Sequence, residues 1–246
     1  MSEDETGPCR EAPQVARREE SYTVEEHTRV RKAIGERVLT SVNQIPQFHL
    51  RTLVDMEPLV EFRRELKQGS RAVPSHNDLF IKAVALTLRE HPRLNAWCDD
   101  DKLMILDSVN VGFAVSTDQG VLLPTVRDAD VKPLAEIAAE TGEMIALARE
   151  GKLRASLQMG AGFTISNLGP IGIDSFAPII SPPQVGILGI GSMRPQPMVV
   201  DGEVVVRSAT WLTLVVDHRA IDGAEGAVFL HALAKLLVTP EHMAEA

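Results

Sequence analysis

The feature that most restricts the fold of this chain is a strand, a charged heptapeptide and a helix in direct succession. Residues 208–216 are β-branched and apolar, which predicts a buried strand. Residues 224–237 carry apolar side chains at helical spacing, which predicts a packed helix. The heptapeptide Asp-His-Arg-Ala-Ile-Asp-Gly at 217–223 joins them. Because strand ends and the loops after them present reactive groups on a rigid scaffold, this loop is a candidate site.

Each polar residue of the heptapeptide also has an interpretation that involves no chemistry. Asp222 precedes the predicted helix and can serve only as its N-cap. Asp217 and Arg219 can form a partly buried ion pair, and His218 can be a polar residue satisfied in the core. Taken one residue at a time, these structural interpretations are preferred. Support for a functional role of the heptapeptide comes only from other segments of the chain.

Length and charge restrict the protein class. At 246 residues, one large α/β domain is expected, and the apolar fraction of 44% is ordinary for a globular chain. Residues 1–22 are polar and charged, so we expect a flexible tail there and the domain over 23–246. The formal net charge of −9 argues against a general nucleic-acid binder.

Targeting signals and metal motifs are not evident in the sequence. No apolar run approaches the roughly 20 residues that a membrane span needs. The acidic N-terminus lacks the apolar segment of a signal peptide. Cys9 and Cys98 belong to no Cys/His cluster with metal-ligand spacing, so we expect no bound metal. A cytoplasmic location, without membrane or nucleic-acid partners, is the default expectation.

Local patterns predict the remaining elements. The helix predicted at 29–41 places Val30, Ile34, Val38 and Leu39 on its inner face. A further helix, capped by Asn77 or Asp78, extends to His91. Other helices are predicted at 57–67, 132–150 and 154–158, strands at 46–55, 109–116 and 121–126, and an Asp-Gly hairpin at 199–204. The glycine-rich run 186–191 lacks the spacing and the following helix of a dinucleotide loop.

Four other segments combine with the heptapeptide to indicate a family. They read Asn-Asp-Leu-Phe-Ile-Lys-Ala from 77, Gly-Phe-Ala-Val from 112 on to Val-Arg-Asp-Ala-Asp ending at 130, Phe-Thr-Ile-Ser-Asn-Leu-Gly from 163, and Ile-Ile-Ser-Pro-Pro-Gln from 179. In order and spacing over roughly 28–240, they resemble the catalytic core of dihydrolipoyl acyltransferases of 2-oxo acid dehydrogenase complexes. The resemblance implies an α/β fold of the chloramphenicol acetyltransferase type, a two-layer sandwich with a mixed sheet and flanking helices.

The resemblance also implies a site. His218 would be the general base, Ser166 would donate its hydroxyl hydrogen bond to the oxyanion, and Asp222 would support them electrostatically. Supporting residues would be Asn167, Asp217 and Arg219. Acyl-CoA would be the co-substrate, and the site would lie between subunits of a homotrimer, with His218 of one chain meeting Ser166 of the next.

The cations at the start of the first predicted helix have two interpretations. Arg29, Arg31 and Lys32 can form a solvated face, or they can bind phosphates of coenzyme A, by analogy with the family.

Two departures from the family affect the expected function. Complete family members carry lipoyl and subunit-binding domains before the core, whereas the tail here offers no lysine suited to lipoylation, and Lys32 lies in a predicted helix. The end of the chain, 239–246, is polar, unlike the apolar anchor that assembles family trimers into shells. An isolated trimer is therefore expected.

Three functions follow from these observations. The leading expectation is a freestanding CoA-dependent acyltransferase that acylates a hydroxyl of a small molecule, for example in tetronate polyketide biosynthesis. The second is a dihydrolipoyl acyltransferase whose lipoyl domain, a separate carrier, lies on another chain. The third is a non-catalytic assembly scaffold, against which the intact His218, Asp222 and Ser166 argue.

Overall fold

The structure, a computed structural model, describes residues 21–69, 73–99, 101–118 and 120–243. Cys9 and nearly all of the predicted tail at 1–22 lie outside the described residues.

The described residues form α-helices and β-strands joined by loops and short turns. The helices are α1 (Arg29–Gln44), α2 (Glu57–Gly69), α3 (His76–Glu90), α4 (Leu134–Arg149) and α5 (Gly223–Val238). The strands are β1 (Gln47–Asp55), β2 (Ala96–Asp99), β3 (Lys102–Ile105), β4 (Val111–Phe113), β5 (Val115–Thr117), β6 (Gly120–Leu122), β7 (Thr125–Val126), β8 (Phe163–Asn167), β9 (Gly186–Ile190), β10 (Arg194–Val200) and β11 (Glu203–Asp217). Short 3₁₀ turns occupy Pro92–Leu94, Ala155–Gln158, Gly169–Ile171 and Pro240–Met243.

One mixed sheet organises the molecule. Its order is β1-β11-β9-β8-β4-β7, and β10 pairs with the first part of β11. Strands β8, β9 and β4 run parallel to one another, whereas β11 is antiparallel to both β1 and β9. The small pairs β2-β3 and β5-β6 lie apart from it. The sequence-based expectation of a mixed sheet is therefore confirmed.

The two faces of β11 enter different parts of the core. Leu212, Leu214 and Val216 are fully buried in the main cluster with residues of α3 and α5. Val215 points to the opposite face, where it joins Ile45, Ile180 and Ile187. Successive side chains of a strand alternate between faces, so burial on both sides explains why residues 211–216 carry apolar side chains on both faces of the strand. Helices α3 and α5 therefore flank the sheet on one side, and Ile180 together with Ile45, the C-cap of α1, covers part of the other.

Several local predictions are confirmed. Helix α5 lies where the periodicity placed it, and β11 contains the predicted strand 208–216 but begins five residues earlier, at Glu203. Helix α2 begins after Asp55, whose Oδ1 accepts the Glu57 N–H at 2.9 Å. The Asp-Gly hairpin connects β10 and β11, with left-handed φ angles of 53° at Asp201 and 84° at Gly202, as that turn requires. The glycine-rich run forms the fully buried strand β9 and no nucleotide loop.

The predicted inner face of the first helix is wrong for a single chain. Val30 and Val38 are exposed, Leu39 is 62% exposed and Ile34 is only half-buried. Ser41 is the buried residue of α1. The reason is its position: α1 contacts β6 and the 180–182 segment, and these contacts leave most of its apolar side chains uncovered.

Two further predictions are corrected. Helix α3 is capped by Ser75 rather than by Asn77 or Asp78: the Ser75 Oγ accepts the Asp78 N–H, and the Asp78 carboxylate accepts the Ser75 N–H. The strands predicted at 109–116 and 121–126 are each divided into two shorter ones. Pro124 interrupts the second strand because it has no N–H to continue a ladder.

Candidate active site

His218 stands directly after β11 with its backbone fixed and its side chain exposed. Its N–H donates to the Pro46 carbonyl at 2.9 Å. The imidazole contacts the Phe48 ring edge-on, with 5.1 Å between ring centroids. The interpretation of His218 as a satisfied core residue is therefore wrong, and its ring can reach a substrate.

Asp217 and Arg219 form the ion pair expected from the sequence. The Asp217 carboxylate is fully buried. It accepts hydrogen bonds from Nε of Arg219 at 3.0 and 3.2 Å, from Nη2 at 2.7 Å and from the Arg219 N–H at 3.0 Å. Since a buried carboxylate needs such partners, the pair fixes the direction in which the chain leaves β11.

Asp222 closes the same loop on the helix side. It is the N-cap residue of α5, and its Oδ1 accepts the Glu225 N–H at 3.0 Å. Its structural interpretation is thus confirmed. A part for Asp222 in chemistry stays a prediction.

Ser166 and Asn167 lie at the carboxyl end of β8. Ser166 is half-buried and pairs in register with Gly189 of β9. The Asn167 amide donates to Asn77 Oδ1 at 2.8 Å, and its Oδ1 accepts the Gly169 N–H at 2.9 Å. Asn167 therefore joins β8 to the first turn of α3 and supports the turn after Ser166.

The sheet does not bring Ser166 and His218 together within one chain. Gly189, opposite Ser166, is itself paired with Thr213 of β11. His218 is five residues beyond Thr213 along the chain. With a rise of about 3.3 Å per residue and about 4.8 Å between strands, the two backbones are ~19 Å apart. Ser166 and His218 of one chain are therefore too far apart to act on the same reacting group.

The candidate phosphate-binding cations lie far from the heptapeptide. Arg29, Arg31 and Lys32 are exposed in the first turn of α1. The other end of that helix leads through Ile45 to Pro46, the acceptor of the His218 N–H. A 16-residue helix is about 24 Å long, so the structure does not bring these cations to His218 of the same chain.

The structure reveals neighbours of the heptapeptide that the sequence analysis missed. Arg93 donates from Nη2 to the Ala220 carbonyl and from Nε to Glu225 Oε1, both at 2.7 Å. Cys98 is a second neighbour. The pKa of its thiol is raised, mainly by burial and to a smaller extent by the negative charge of Asp217. Both residues are more than 100 positions away in sequence, so no local pattern could have found them.

A buried lysine supports another loop of the molecule. Lys82 is fully buried on α3, and its Nζ donates to the carbonyls of Asp130 at 2.8 Å and Lys132 at 3.0 Å. Burial lowers the pKa of its ammonium group. This side chain fixes the loop before α4 and lies outside the candidate site.

The described ranges contain no group of three or more His, Cys, Asp or Glu side chains that could hold a metal ion. Over the same ranges, every helix is too short or too polar to cross a bilayer.

Comparison with known families gives a match over almost the whole chain. Residues 19–245 match the model of the 2-oxoacid dehydrogenases acyltransferase catalytic domain. A dihydrolipoyllysine-residue acetyltransferase component of the pyruvate dehydrogenase complex from Rickettsia bellii is 36% identical over 93% of this chain and 56% of its own length. A dihydrolipoyllysine-residue succinyltransferase component of the 2-oxoglutarate dehydrogenase complex from Bartonella vinsonii is 37% identical over 88% and 54%. The chain thus spans about half the length of these curated relatives.

Solved structures show the same fold. The Azotobacter vinelandii dihydrolipoamide acetyltransferase matches with a TM-score of 0.86 and 33% identity, over 96% of this chain and 99% of that one. Crystallographic and enzymatic work on that enzyme addressed a serine, a histidine 52 residues later and an asparagine four residues after the histidine in its catalytic mechanism. A chloramphenicol acetyltransferase, at 16% identity and a TM-score of 0.53 over 82% and 94% of the two chains, shares the fold. The chain therefore belongs to the acyltransferase family of the 2-oxoacid dehydrogenases and contains its catalytic domain.

Proposed function

We propose that this domain transfers an acyl group between the thiol of coenzyme A and a dihydrolipoyl thiol. One observation carries the proposal. Ser166, His218 and Asp222 are separated by 52 and four residues, the same intervals as the serine, histidine and asparagine of the Azotobacter enzyme. The relatives act on dihydrolipoyllysine residues, and they supply no support for the leading expectation of a hydroxyl acceptor in natural-product biosynthesis. Because acetyl- and succinyltransferases match equally, the acyl chain is left open.

The proposed reaction has balanced proton and electron movements. The imidazole of His218 takes the proton of the attacking thiol, whose sulfur forms a bond to the thioester carbonyl carbon. The resulting oxyanion accepts a hydrogen bond from the Ser166 hydroxyl. As the intermediate collapses, the original C–S bond breaks, and the leaving thiolate takes the proton back from the imidazolium. An imidazole suits both steps because it titrates near neutral pH.

Coenzyme A requires contacts beyond the reacting thiol. The exposed cations Arg29, Arg31 and Lys32 offer positive charge to its phosphates. The lipoyl group is expected on a separate lipoyl domain.

A homotrimer would complete the site. A base acts only within hydrogen-bond reach of its proton, and ~19 Å within one chain is far beyond that reach. We propose cyclic symmetry in which His218 of one subunit faces Ser166 of the partner subunit. The exposed apolar side chains of α1 support the proposal, because Leu39 and Val42 are 62% and 55% exposed in the single chain. Burial against another subunit would remove that surface from water.

The first experiment is a transfer assay with the purified protein. It offers acetyl-CoA or succinyl-CoA with dihydrolipoamide and follows CoA release. We expect turnover with dihydrolipoamide and none with simple alcohols. Turnover with hydroxyl acceptors alone would instead support an acyltransferase that acylates small-molecule hydroxyls. No turnover with any acceptor would favour the non-catalytic scaffold.

A further inference from the structure

We infer that Arg93 is a positioning residue that holds the His218 loop, defined here as residues 217–222. Arg93 lies in the 3₁₀ turn between α3 and β2, which none of the family-like segments covers. Its guanidinium reaches 127 residues forward to the Ala220 carbonyl and 132 residues forward to Glu225.

This contact acts on the middle of the loop. At its strand end, the loop is held by the Asp217 N–H on the Val185 carbonyl and by the His218 N–H on the Pro46 carbonyl. At its helix end, the Asp222 cap holds it. Ala220 lies between these ends, two residues after His218. A donor on its carbonyl therefore restricts rotation of the segment that carries the imidazole.

The geometry explains why an arginine stands at 93. Its Nη2 and Nε donate to two different acceptors, a backbone carbonyl and a carboxylate, which the rigid guanidinium can reach at once. The ion pair is partly exposed, with 51% of the Arg93 side chain accessible, so its own contribution is small. We therefore assign the positioning to the Ala220 contact and the orientation of the guanidinium to Glu225.

Hydrogen exchange tests the loop without reference to activity. The amides of His218, Ala220 and Ile221 are all bonded to backbone carbonyls. In Arg93→Met, which retains length but has no donor, we expect these amides to exchange several-fold faster than in the wild type. The matched control is Arg89→Met, because Arg89 is an exposed arginine of α3 that contacts Asp130 and lies outside the loop.

Kinetics then test the effect on His218, a step that rests on the proposed function. Misplacing a catalytic group costs rate more than binding, so Arg93→Met should lower kcat about tenfold and leave KM for acyl-CoA unchanged. Arg93→Gln, which retains one donor for the Ala220 carbonyl, should recover part of the loss. Glu225→Gln, which keeps an Oε1 acceptor for Arg93 Nε and removes only the charge, should stay close to the wild type.

Three outcomes would overturn the inference. Equal exchange in Arg93→Met and Arg89→Met would show that Arg93 does not order the loop, whichever reaction the protein catalyses. Faster amide exchange in Arg93→Met with an unchanged kcat would show that the Arg93 contact does not affect His218. A loss of kcat in Glu225→Gln equal to that in Arg93→Met would assign the effect to the Arg93–Glu225 ion pair. If Arg93→Met does not fold, Arg93→Gln and Arg93→Lys are compared with Arg89→Gln and Arg89→Lys in the same way. Absence of transfer in the wild type would count against the proposed function alone, because the exchange comparison does not depend on it.

Discussion

His218 combines a fixed backbone with an accessible ring. The Pro46 carbonyl holds its N–H, the buried Asp217 precedes it, and Phe48 limits one side of the imidazole. A general base needs this combination, because it must be oriented before the substrate arrives and must still reach the transferable proton. Loss of the His218 side chain alone should therefore have a large effect on the rate of transfer.

Replacement of His218 by alanine should nearly abolish transfer. We expect kcat to fall by a factor of ~10² to 10⁴, the usual contribution of a general base. His49→Ala is the control, since His49 is an exposed histidine on β1. Steady-state CoA release measures both. A His218→Ala protein that keeps a tenth of the wild-type rate would contradict the assignment.

Cys98 should be an unreactive thiol. Burial and Asp217 raise its pKa, so less thiolate is present at a given pH, and alkylation of the folded Cys9→Ser protein should be several-fold slower than after unfolding in urea. Since the pKa is higher in the folded state, this thiol's contribution to stability is complete below its ordinary pKa of 9.0 and is lost at higher pH.

The pH dependence has its own control. Thermal unfolding of Cys9→Ser should show a loss of stability above pH 9 that the Cys9→Ser/Cys98→Ala protein lacks. Identical curves for the two proteins would refute the raised pKa.

At this scale, sequence reasoning succeeds where partners are close in the chain. The pairing of Asp217 with Arg219 and the capping by Asp222 involve residues two and three positions apart. Arg93 has no such local signal, since its partners become neighbours only after the sheet has formed. Its contribution therefore had to come from the structure.

At the scale of secondary-structure elements, Asp222 caps the start of α5. Two substitutions separate this capping from any effect of the Asp222 charge. Asp222→Asn keeps a good cap and removes the charge, whereas Asp222→Ala removes both. We expect the alanine variant to lose ~0.5–2 kcal/mol of stability and much of its activity. The asparagine variant should remain close to the wild type, because the Azotobacter enzyme has an asparagine at the matching interval. Thermal unfolding and CoA release distinguish the two. A strong loss of activity in Asp222→Asn alone would show that the charge itself acts.

The end of β9 has no room for a side chain. A Cβ on Gly191 would lie 1.9 Å from the Asp174 carbonyl oxygen, a backbone atom of the segment after the Gly169–Ile171 turn. Gly191→Ala should therefore lower stability by roughly 1–3 kcal/mol. Gly142→Ala is the matched control: it lies exposed in α4 with nothing within 4 Å of its Cβ, and should raise stability by ~0.5–1 kcal/mol. Equal melting temperatures would contradict the close approach.

The elements themselves were predictable where their pattern has one cause. β11 and α5 follow from burial periodicity, and the Asp201-Gly202 hairpin follows from turn chemistry. The inner face of α1 was not predictable. An apolar stripe on a helix indicates a surface that needs covering, but it does not indicate whether the same chain or another chain covers it. The division of 109–126 also depends on long-range pairing, since β4 joins β7 and β8 in the main sheet, whereas β5 pairs with β6 in a separate two-stranded sheet.

For the whole molecule, the proposed arrangement of subunits makes a sharp prediction. Neither His218→Ala nor Ser166→Ala should be active alone, yet dissociated and reassembled mixtures should regain activity. In a cyclic trimer mixed at random, about one quarter of the sites receive an intact histidine from one subunit and an intact serine from the next. Activity near that fraction would support shared sites. A mixture as inactive as its components would place both residues in one subunit's site.

The candidate site could be predicted only in part for the same reason. Short motifs identify Ser166 and His218, but the register of β8, β9 and β11 sets the distance between them. A distance of this kind depends on every strand between the two residues. The distance between Ser166 and His218 therefore cannot be predicted from either motif alone.

The register of β1 has a further consequence for how the molecule is made. β1 pairs along its whole length with β11, from Gln47 opposite Asp217 to Asp55 opposite Ala209. On a ribosome adding about 5–20 residues per second, β1 therefore waits roughly ten to thirty seconds for its partner to be synthesised. During that interval the backbone edge of β1 is unpaired in a nascent chain, where it can recruit a chaperone or a foreign strand. The sheet closes late in translation, and codons that slow the ribosome between the two strands would lengthen that exposure.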